Sequence, residues 1–142
     1  MDPRHFKRPE SVLVVVHTAT EALVIKRADH ENFWQSITGS LRWGESAADA
    51  AVRELHEETG LSGYPLRDSG IRRSYEILTQ WQDRYPPNTV RNREHLFYCE
   101  LVDKVSVSLN PQEHTEQEWL LLEDASERVF SWTNRLAIQG LL

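Results

Sequence analysis

The stretch Gly39–Leu61, GSLRWGESAADAAVRELHEETGL, constrains this chain more than any other part of it. Its fixed points follow the spacing G-x(5)-E-x(7)-R-E-L-x-E-E-x-G-L, which specifies Gly39, Glu45, Arg53, Glu54, Glu57, Glu58 and Gly60, with Leu55 and Leu61 as aliphatic positions. Ser46 is a good N-cap, and Asp49 completes an S-x-x-D capping box. Ala47, Ala48, Ala50, Ala51, Val52, Glu54 and Leu55 favour helix, and Gly60 can take the left-handed conformation that ends it. The pattern predicts a helix over Ala47–Thr59. At 100° per residue, Ala48, Val52, Leu55 and Thr59 share the face expected to be buried. Glu54, Glu57 and Glu58 fall at i, i+3 and i+4 on another arc, among Ala47, Ala50 and Ala51, which leave the carboxylates uncrowded.

Three carboxylates on one arc repel each other and need a counter-charge. On an ordinary Glu-rich helix, Arg53 one turn before Glu57 would supply it on a solvated face. A solvated face does not require Gly39 and Glu45 at fixed distances upstream. Hard divalent cations, which take carboxylate oxygens together with water and substrate phosphates, account for the charge cluster better. The formal net charge of −6 points the same way. It argues against a basic surface for a nucleic-acid polymer, and an acidic protein that grips a polyphosphate needs positive charge brought in from outside. Mg2+ is the expected carrier, with Mn2+ as a substitute.

The 142 residues suit one domain, 1–142, large enough to bury its own core, and 39% hydrophobic with 27% charged residues describe an ordinary globular chain. The N-terminal MDPRHFKRPE lacks the apolar segment of a secretory signal, and the longest apolar run, Val12–Val16, is too short to span a bilayer. A single cysteine, Cys99, excludes an internal disulfide, suits a reducing cytoplasm and reads as a buried inert thiol. Strands are expected at Ser11–His17 and Leu23–Arg27 as a hairpin, then at Phe33–Ile37, with a loop at Thr38–Gly44. Further extended segments are expected at Ile71–Leu78, His95–Leu101, Val105–Leu109 and Glu118–Leu122, with a loop around Tyr85–Thr89 and a turn at Asp103-Lys104. Trp132–Leu141 is expected as a helix with Leu136, Ile138 and Leu141 on one face. Strands interspersed with two helices give an α/β layered fold with a mixed sheet.

The run Gly39–Leu61 resembles the Nudix box, and the chain resembles a Nudix hydrolase. The resemblance implies an α/β/α sandwich in which the box forms a loop–helix–loop. It also implies metal-dependent cleavage of a diphosphate linkage, in which Glu54, Glu57 and Glu58 hold the cation and Arg53 orients them. Gly39 and Gly60 are then expected to allow the tight turns that bracket the helix. A further glutamate on a loop before a Trp-ending strand often reaches the metal in this family. Within Gln112–Trp119 both Glu113 and Glu116 qualify, and Gln112-Glu113-His114 favours Glu113.

The likeness extends beyond the box to one subfamily, the bacterial pyrophosphohydrolases of dihydroneopterin triphosphate, also described as acting on dATP. It is carried by Lys7-Arg8-Pro9, Phe33–Ser36, Thr38-Gly39-Ser40, Arg84-Tyr85 with Pro87, Arg91-Asn92, Ser131–Arg135 and Ala137-Ile138, while Gly70–Gln80 match poorly. It implies substrate contacts at Lys7, Arg27, Thr38, Tyr75, Glu76, Ile77, Leu78 and Ser131. Lys7 and Arg27 suit a triphosphate, since their cations bind phosphate strongly, and Trp34 is a candidate for stacking a planar ring. The implied reaction is attack of water on phosphorus, with Glu57 or Glu113 taking the proton, to give a monophosphate and pyrophosphate. The alternatives are a Nudix enzyme for an oxidised deoxynucleotide, a dinucleoside polyphosphate or a nucleotide sugar, or an inactive Nudix ligand-binding module. Intact Glu54, Glu57 and Glu58 weigh against the last.

Overall fold

Val12–Val16 fixes the middle of the structure. Successive residues of a strand point to opposite faces, and all five are at most 2% exposed, so this strand is covered on both sides. The computed structural model describes residues 5–142, and the start of the N-terminal segment read above, residues 1–4, lies outside the described residues. The strand, β1 (Glu10–His17), turns back into β2 (Glu21–Arg27) with His17 opposite Ala22. Two short strands follow, β3 (Trp34–Gln35) against β2 and β4 (Ile37–Ser40) against β1. The chain thus changes neighbours at Ser36, where β1 and β2 have already parted beyond their hairpin. After the helix α1 (Ala47–Thr59) come β5 (Arg67–Glu76) and β6 (Arg91–Glu100); β6 runs parallel to the whole of β1, and β5 lies antiparallel outside it. The strand β7 (His114–Leu121) pairs with the other edge of β2, and α2 (Leu122–Arg128) and α3 (Trp132–Gln139) close the chain.

The mixed sheet is sandwiched as expected. On one face Val12, Val14, Val16, Leu23, Ile25, Phe97 and Cys99 pack against Ala50, Ala51 and Leu55 of α1. On the other, Leu13, Val15, Val24, Leu96 and Tyr98 pack against Leu122 and Ala125 of α2 and Ala137 and Ile138 of α3. Cys99 is buried with no exposed surface, and burial pushes its thiol up, as an inert core cysteine requires.

Several expectations are corrected. The face that α1 buries is not Ala48–Val52–Leu55–Thr59: Val52 is 58% exposed and Ala48 is exposed, while Ala50, Ala51, Glu54, Leu55, Glu58 and Thr59 are buried. The alanine arc allows close approach to the sheet, and two glutamates travel inward with it. In α3, Leu136 is 42% exposed, whereas Ala137 and Ile138 are buried. Val105–Leu109 is not a strand. Its polar backbone is met by side chains instead: Gln117 Oε1 accepts from Val107 N, Gln117 Nε2 donates to Val107 O, and Trp119 Nε1 donates to Val105 O. Leu122 begins α2 rather than ending a strand, and Thr79–Arg84 forms a 3-10 helical stretch before the double proline. Thr38 to Ser40 belong to β4 rather than to the expected loop, and Glu116 belongs to β7.

Candidate metal and substrate site

The box places its charged residues through three local devices. Ser46 Oγ accepts from Asp49 N (3.1 Å) and starts α1, and Gly60, at φ +75°, ends it by donating its N–H to His56 O. Gly39 sits in β4 opposite Val12 and needs no left-handed backbone, which corrects the expectation of a tight turn there. Its role is space, since a methyl group at position 39 would collide with the Glu54 carboxylate. Glu45 anchors the third device. Arg53 Nε and Nη2 donate to its two oxygens, each at 2.8 Å, while Arg42 N donates to Oε1 at 2.9 Å. This bidentate pair, with the Arg42 amide in support, holds the Glu45 carboxyl down at about 2. Arg53 goes on to donate to Ser40 O (3.1 Å), Glu54 Oε1 (2.8 Å) and Glu57 Oε2 (3.2 Å). The expected i,i+4 bond to Glu57 is therefore the outermost branch of a network centred on Glu45.

Glu54, Glu57 and Glu58 line a cavity of about 770 Å³ at the fork between β1 and β2. Glu58 is 5% exposed, and its Oε2 is buried without a partner. Burial, reinforced by the Glu54 and Glu113 charges, pushes its carboxyl up to about 9. Glu54 is also raised by burial, with Arg53 opposing. Across the cavity, Glu113 sits in the turn before β7, its backbone N donating to Asn110 O and its carbonyl accepting from Ala28 N. One ligand atom each from Glu58, Glu113 and His114 lies within 4.8 Å of the others. The His114 imidazole, 4% exposed, is pushed down to about 4 by burial and by the Arg27 charge, and its Nδ1 is also buried and unpartnered. A buried unpaired carboxylate oxygen facing a second carboxylate and a neutral imidazole is an environment that a divalent cation relieves. Glu116 takes no part. It lies on β7 paired with Lys26 of β2.

The substrate contacts that the resemblance implies all line this one cavity: Lys7, Arg27, Thr38, Tyr75, Glu76, Ile77, Leu78 and Ser131. Arg27 is braced by Asp29 (2.8 and 2.9 Å) and lies over the rings of Phe33 and Trp81. Lys7 donates its backbone N–H to Arg84 O, and its amine is held low by burial and by the Arg84 and Arg27 charges. Lys7, Arg27 and Arg84 thus bring mutually repelling cations to one rim, an arrangement suited to a polyanion. Thr38 Oγ1 donates to Val12 O, and Ser131 Oγ caps α3 by accepting from Asn134 N. Trp34 does not line the cavity. It packs on the α2–α3 side with the Arg128 guanidinium over its ring.

Sequence reasoning did not assign His114, Arg84, Trp81, Phe130 or Glu94, all of which line the cavity. His114 and Arg84 lay within stretches that carried the resemblance, so a signal existed for them. Trp81, Phe130 and Glu94 come from a 3-10 stretch, a helix junction and a central strand, and only the fold brings them together.

Comparison with known proteins agrees with this fold. The chain is 34% identical to the dihydroneopterin triphosphate diphosphatase of Escherichia coli (strain K12), over 98% of this chain and 95% of that protein. It is 33% identical to the Haemophilus influenzae protein of the same name, over 96% and 89%. The solved structure of the E. coli dihydroneopterin triphosphate pyrophosphohydrolase superposes with a TM-score of 0.88 at 34% identity, covering 95% of each chain. The family model for the NUDIX domain matches residues 7–139, and the chain belongs to the Nudix family.

Proposed function

We propose that this chain is a divalent-metal-dependent Nudix pyrophosphohydrolase that converts dihydroneopterin triphosphate to its monophosphate and pyrophosphate, with dATP as a poorer substrate. The observation that carries the reading is the buried, unpartnered Glu58 carboxylate facing Glu113 and His114, in a cavity whose rim gathers Lys7, Arg27 and Arg84. The names of the full-length relatives supply the substrate. The reading takes residues 1–142 as one such domain, working in a reducing cytoplasm that suits the lone buried Cys99. No helix among the described residues is long and apolar enough to cross a membrane.

Glu54, Glu58 and Glu113 would hold Mg2+, or Mn2+ in its place, with His114 beside them. When bound, the cation neutralises phosphate oxygens and lowers the pKa of a bound water. The residues of the chain do the rest. Lys7, Arg27 and Arg84 take the non-bridging oxygens of the triphosphate and orient it. Water attacks phosphorus, one phosphoanhydride bond breaks, and pyrophosphate leaves. The water's proton passes to Glu57 or Glu113, two exposed carboxylates of the cavity. Arg53 is a positioning residue that fixes Glu54 and Glu57 through its anchor on Glu45. The deciding experiment is a panel of dihydroneopterin triphosphate, dATP, an oxidised dNTP, a dinucleoside tetraphosphate and ADP-ribose, each with Mg2+ and with EDTA, scored for pyrophosphate and orthophosphate. Pyrophosphate release, greatest kcat/KM for the pterin and loss of turnover in EDTA are expected. Undiminished turnover in EDTA, or a dinucleoside or sugar nucleotide hydrolysed best, overturns the reading.

A further inference from the structure

The cavity has a second end that the phosphate chemistry does not use. Glu94 on β6 is 5% exposed yet lines the cavity. In register it stands beside Ser11 of β1 and opposite Arg73 of β5. Neighbours on adjacent strands share a face, and Leu96 and Tyr98, on the same face of β6, pack against α3. Glu94 therefore lies on the α3 side of the sheet, while Glu54, Glu57 and Glu58 come from α1 on the other. Its surroundings are polar and mostly buried. Asn92, one pleat away, donates to Ser11 Oγ (2.7 Å) and to Tyr75 Oη (3.1 Å), and its own Oδ1 is buried without a partner. Thr133 of α3 has no exposed surface.

A carboxyl in such a place is costly unless something satisfies it. Burial pushes Glu94 up to about 7, with the Thr133 hydroxyl and the Arg73 charge pulling it back only in part. A core that needed only packing would place an apolar side chain here, as β6 does at Leu96. The cavity, at about 770 Å³, falls in the range of roughly 300–1,000 Å³ that holds whole small ligands, so a molecule with its polyphosphate among Lys7, Arg27 and Arg84 can extend its other end toward this carboxyl.

We propose that Glu94 is a specificity-determining residue that reads the substrate's ring, its two oxygens accepting hydrogen bonds from the adjacent ring N–H and exocyclic amine of a 2-amino-4-oxopyrimidine edge. This rests on the pyrophosphohydrolase reading above and deepens it. Dihydroneopterin carries that pair of neighbouring donors. Adenine instead sets an acceptor nitrogen beside its amine, so one oxygen of Glu94 faces a lone pair. A site built to hydrogen-bond a substrate group rejects an analogue lacking it, because the buried partner is left unpaired. The same carboxylate then predicts that dATP is the poorer substrate.

Two measurements test this. Glu94→Gln replaces one acceptor by a donor, which matches adenine and mismatches the pterin. The ratio of kcat/KM for dihydroneopterin triphosphate over dATP should fall at least 10-fold, through KM of the pterin substrate, with the Mg2+ dependence unchanged. Taking the ratio within one preparation makes misfolded protein scale both substrates alike, and an unchanged ratio overturns the proposal. Fluorescence titration of the unmodified protein compares pterin with lumazine, which carries a carbonyl in place of the 2-amino group. Pterin should bind at least 10-fold tighter. Equal affinity, or no saturable binding of pterin, overturns the proposal even where turnover is robust. Absence of turnover for every triphosphate strikes the pyrophosphohydrolase reading instead and leaves the titration to judge Glu94.

Discussion

The two ends of the cavity are held by different physics. Around α1 the scaffold is ionic: Arg53 ties Glu45, Glu54, Glu57 and the Ser40 carbonyl into one network. Around α3 it is neutral and drier. Asn134, 1% exposed, accepts from Ser36 N (2.8 Å) and donates to Ser36 Oγ (2.9 Å), fastening the helix to the point where the chain crosses from β2 to β1. An end that handles phosphate and metal needs carboxylates whose charge is partly neutralised yet available. An end that receives a ring needs fixed walls, and neutral hydrogen bonds provide them without a field that competes with the first. Substitutions in the ionic scaffold should therefore show in kcat and in pH dependence, and those in the neutral scaffold in stability, with the Glu94 carboxyl set apart as the group that would read the ring.

The largest effect is expected at the ionic end. Glu58→Gln keeps the shape and removes the charge, and kcat should fall by about 10²-fold or more through lost metal positioning. Glu113→Gln should also lower kcat much more than it raises KM. Glu116→Gln, which cuts only a strand-edge pair with Lys26, should stay within about a factor of two, since an exposed pair is worth roughly 0–1 kcal/mol. Steady-state kinetics of the three variants side by side check the assignment. A crippled Glu116→Gln beside a normal Glu113→Gln would move the cross-cavity ligand to the wrong strand.

Gly39→Ala joins activity to stability. The added methyl meets the Glu54 carboxylate, so that side chain, or the elements that hold it, must shift. Overpacking of this kind costs about 1–3 kcal/mol, a Tm drop of roughly 2–10 °C for a chain this size. Because the displaced group is a glutamate proposed to adjoin the metal, kcat should fall as well. A variant that loses Tm but keeps kcat would show that Glu54 moves without consequence.

The sequence made the ionic end legible because its parts are local. Gly39, Glu45 and the three glutamates lie within Gly39–Leu61, and helical periodicity alone puts the glutamates on one arc. Even so, the periodicity misplaced the buried face of α1, because a rule that buries apolar residues cannot foresee a helix whose carboxylates turn inward. β1, β2, α1 and α3 were readable from apolar runs and caps. Val105–Leu109 was not, since its alternation looks like a strand while its backbone is satisfied by Gln117 and Trp119 from elsewhere. The neutral end was scarcely legible. Ser36 and Asn134 lie far apart in sequence, and Glu94 reads as one more charge in an acidic chain until β6 is seen to be central.

Asn134→Ala probes the neutral end directly. It leaves the buried Ser36 N–H and hydroxyl unpaired, at about 1–3 kcal/mol. Thermal unfolding should register the loss with little dependence on salt, and a strong salt dependence would contradict a neutral clamp. Glu45→Gln gives the ionic counterpart. Glu45 is depressed in the folded state from about 4.5 to about 2 by Arg53, so its contribution is present above the unfolded value and is lost as pH falls through the folded one. Wild type should lose stability between about pH 4.5 and pH 2 through this group, and the Gln variant should be less stable at pH 7 with a flatter acid limb. Parallel acid limbs would show that Glu45 does not anchor the network.

The smallest expected effect tests the orientation of α1, on which the ionic end depends. Val52 is 58% exposed and Leu55, three residues on, is 2% exposed. Had the apolar arc been the buried one, truncating either would open a cavity. With the alanine–glutamate arc turned inward, Val52→Ala removes two methyl groups from solvent-facing surface and trades a β-branched residue for the best helix former. Its stability should stay within about 0.5 kcal/mol of wild type, whereas Leu55→Ala should cost about 2–5 kcal/mol. The pair is informative because both residues sit on the same helix, so a general fragility of α1 would move them together. A Val52→Ala loss comparable to that of Leu55→Ala would mean the helix is rotated, and with it the inward placement of Glu54 and Glu58 would fail.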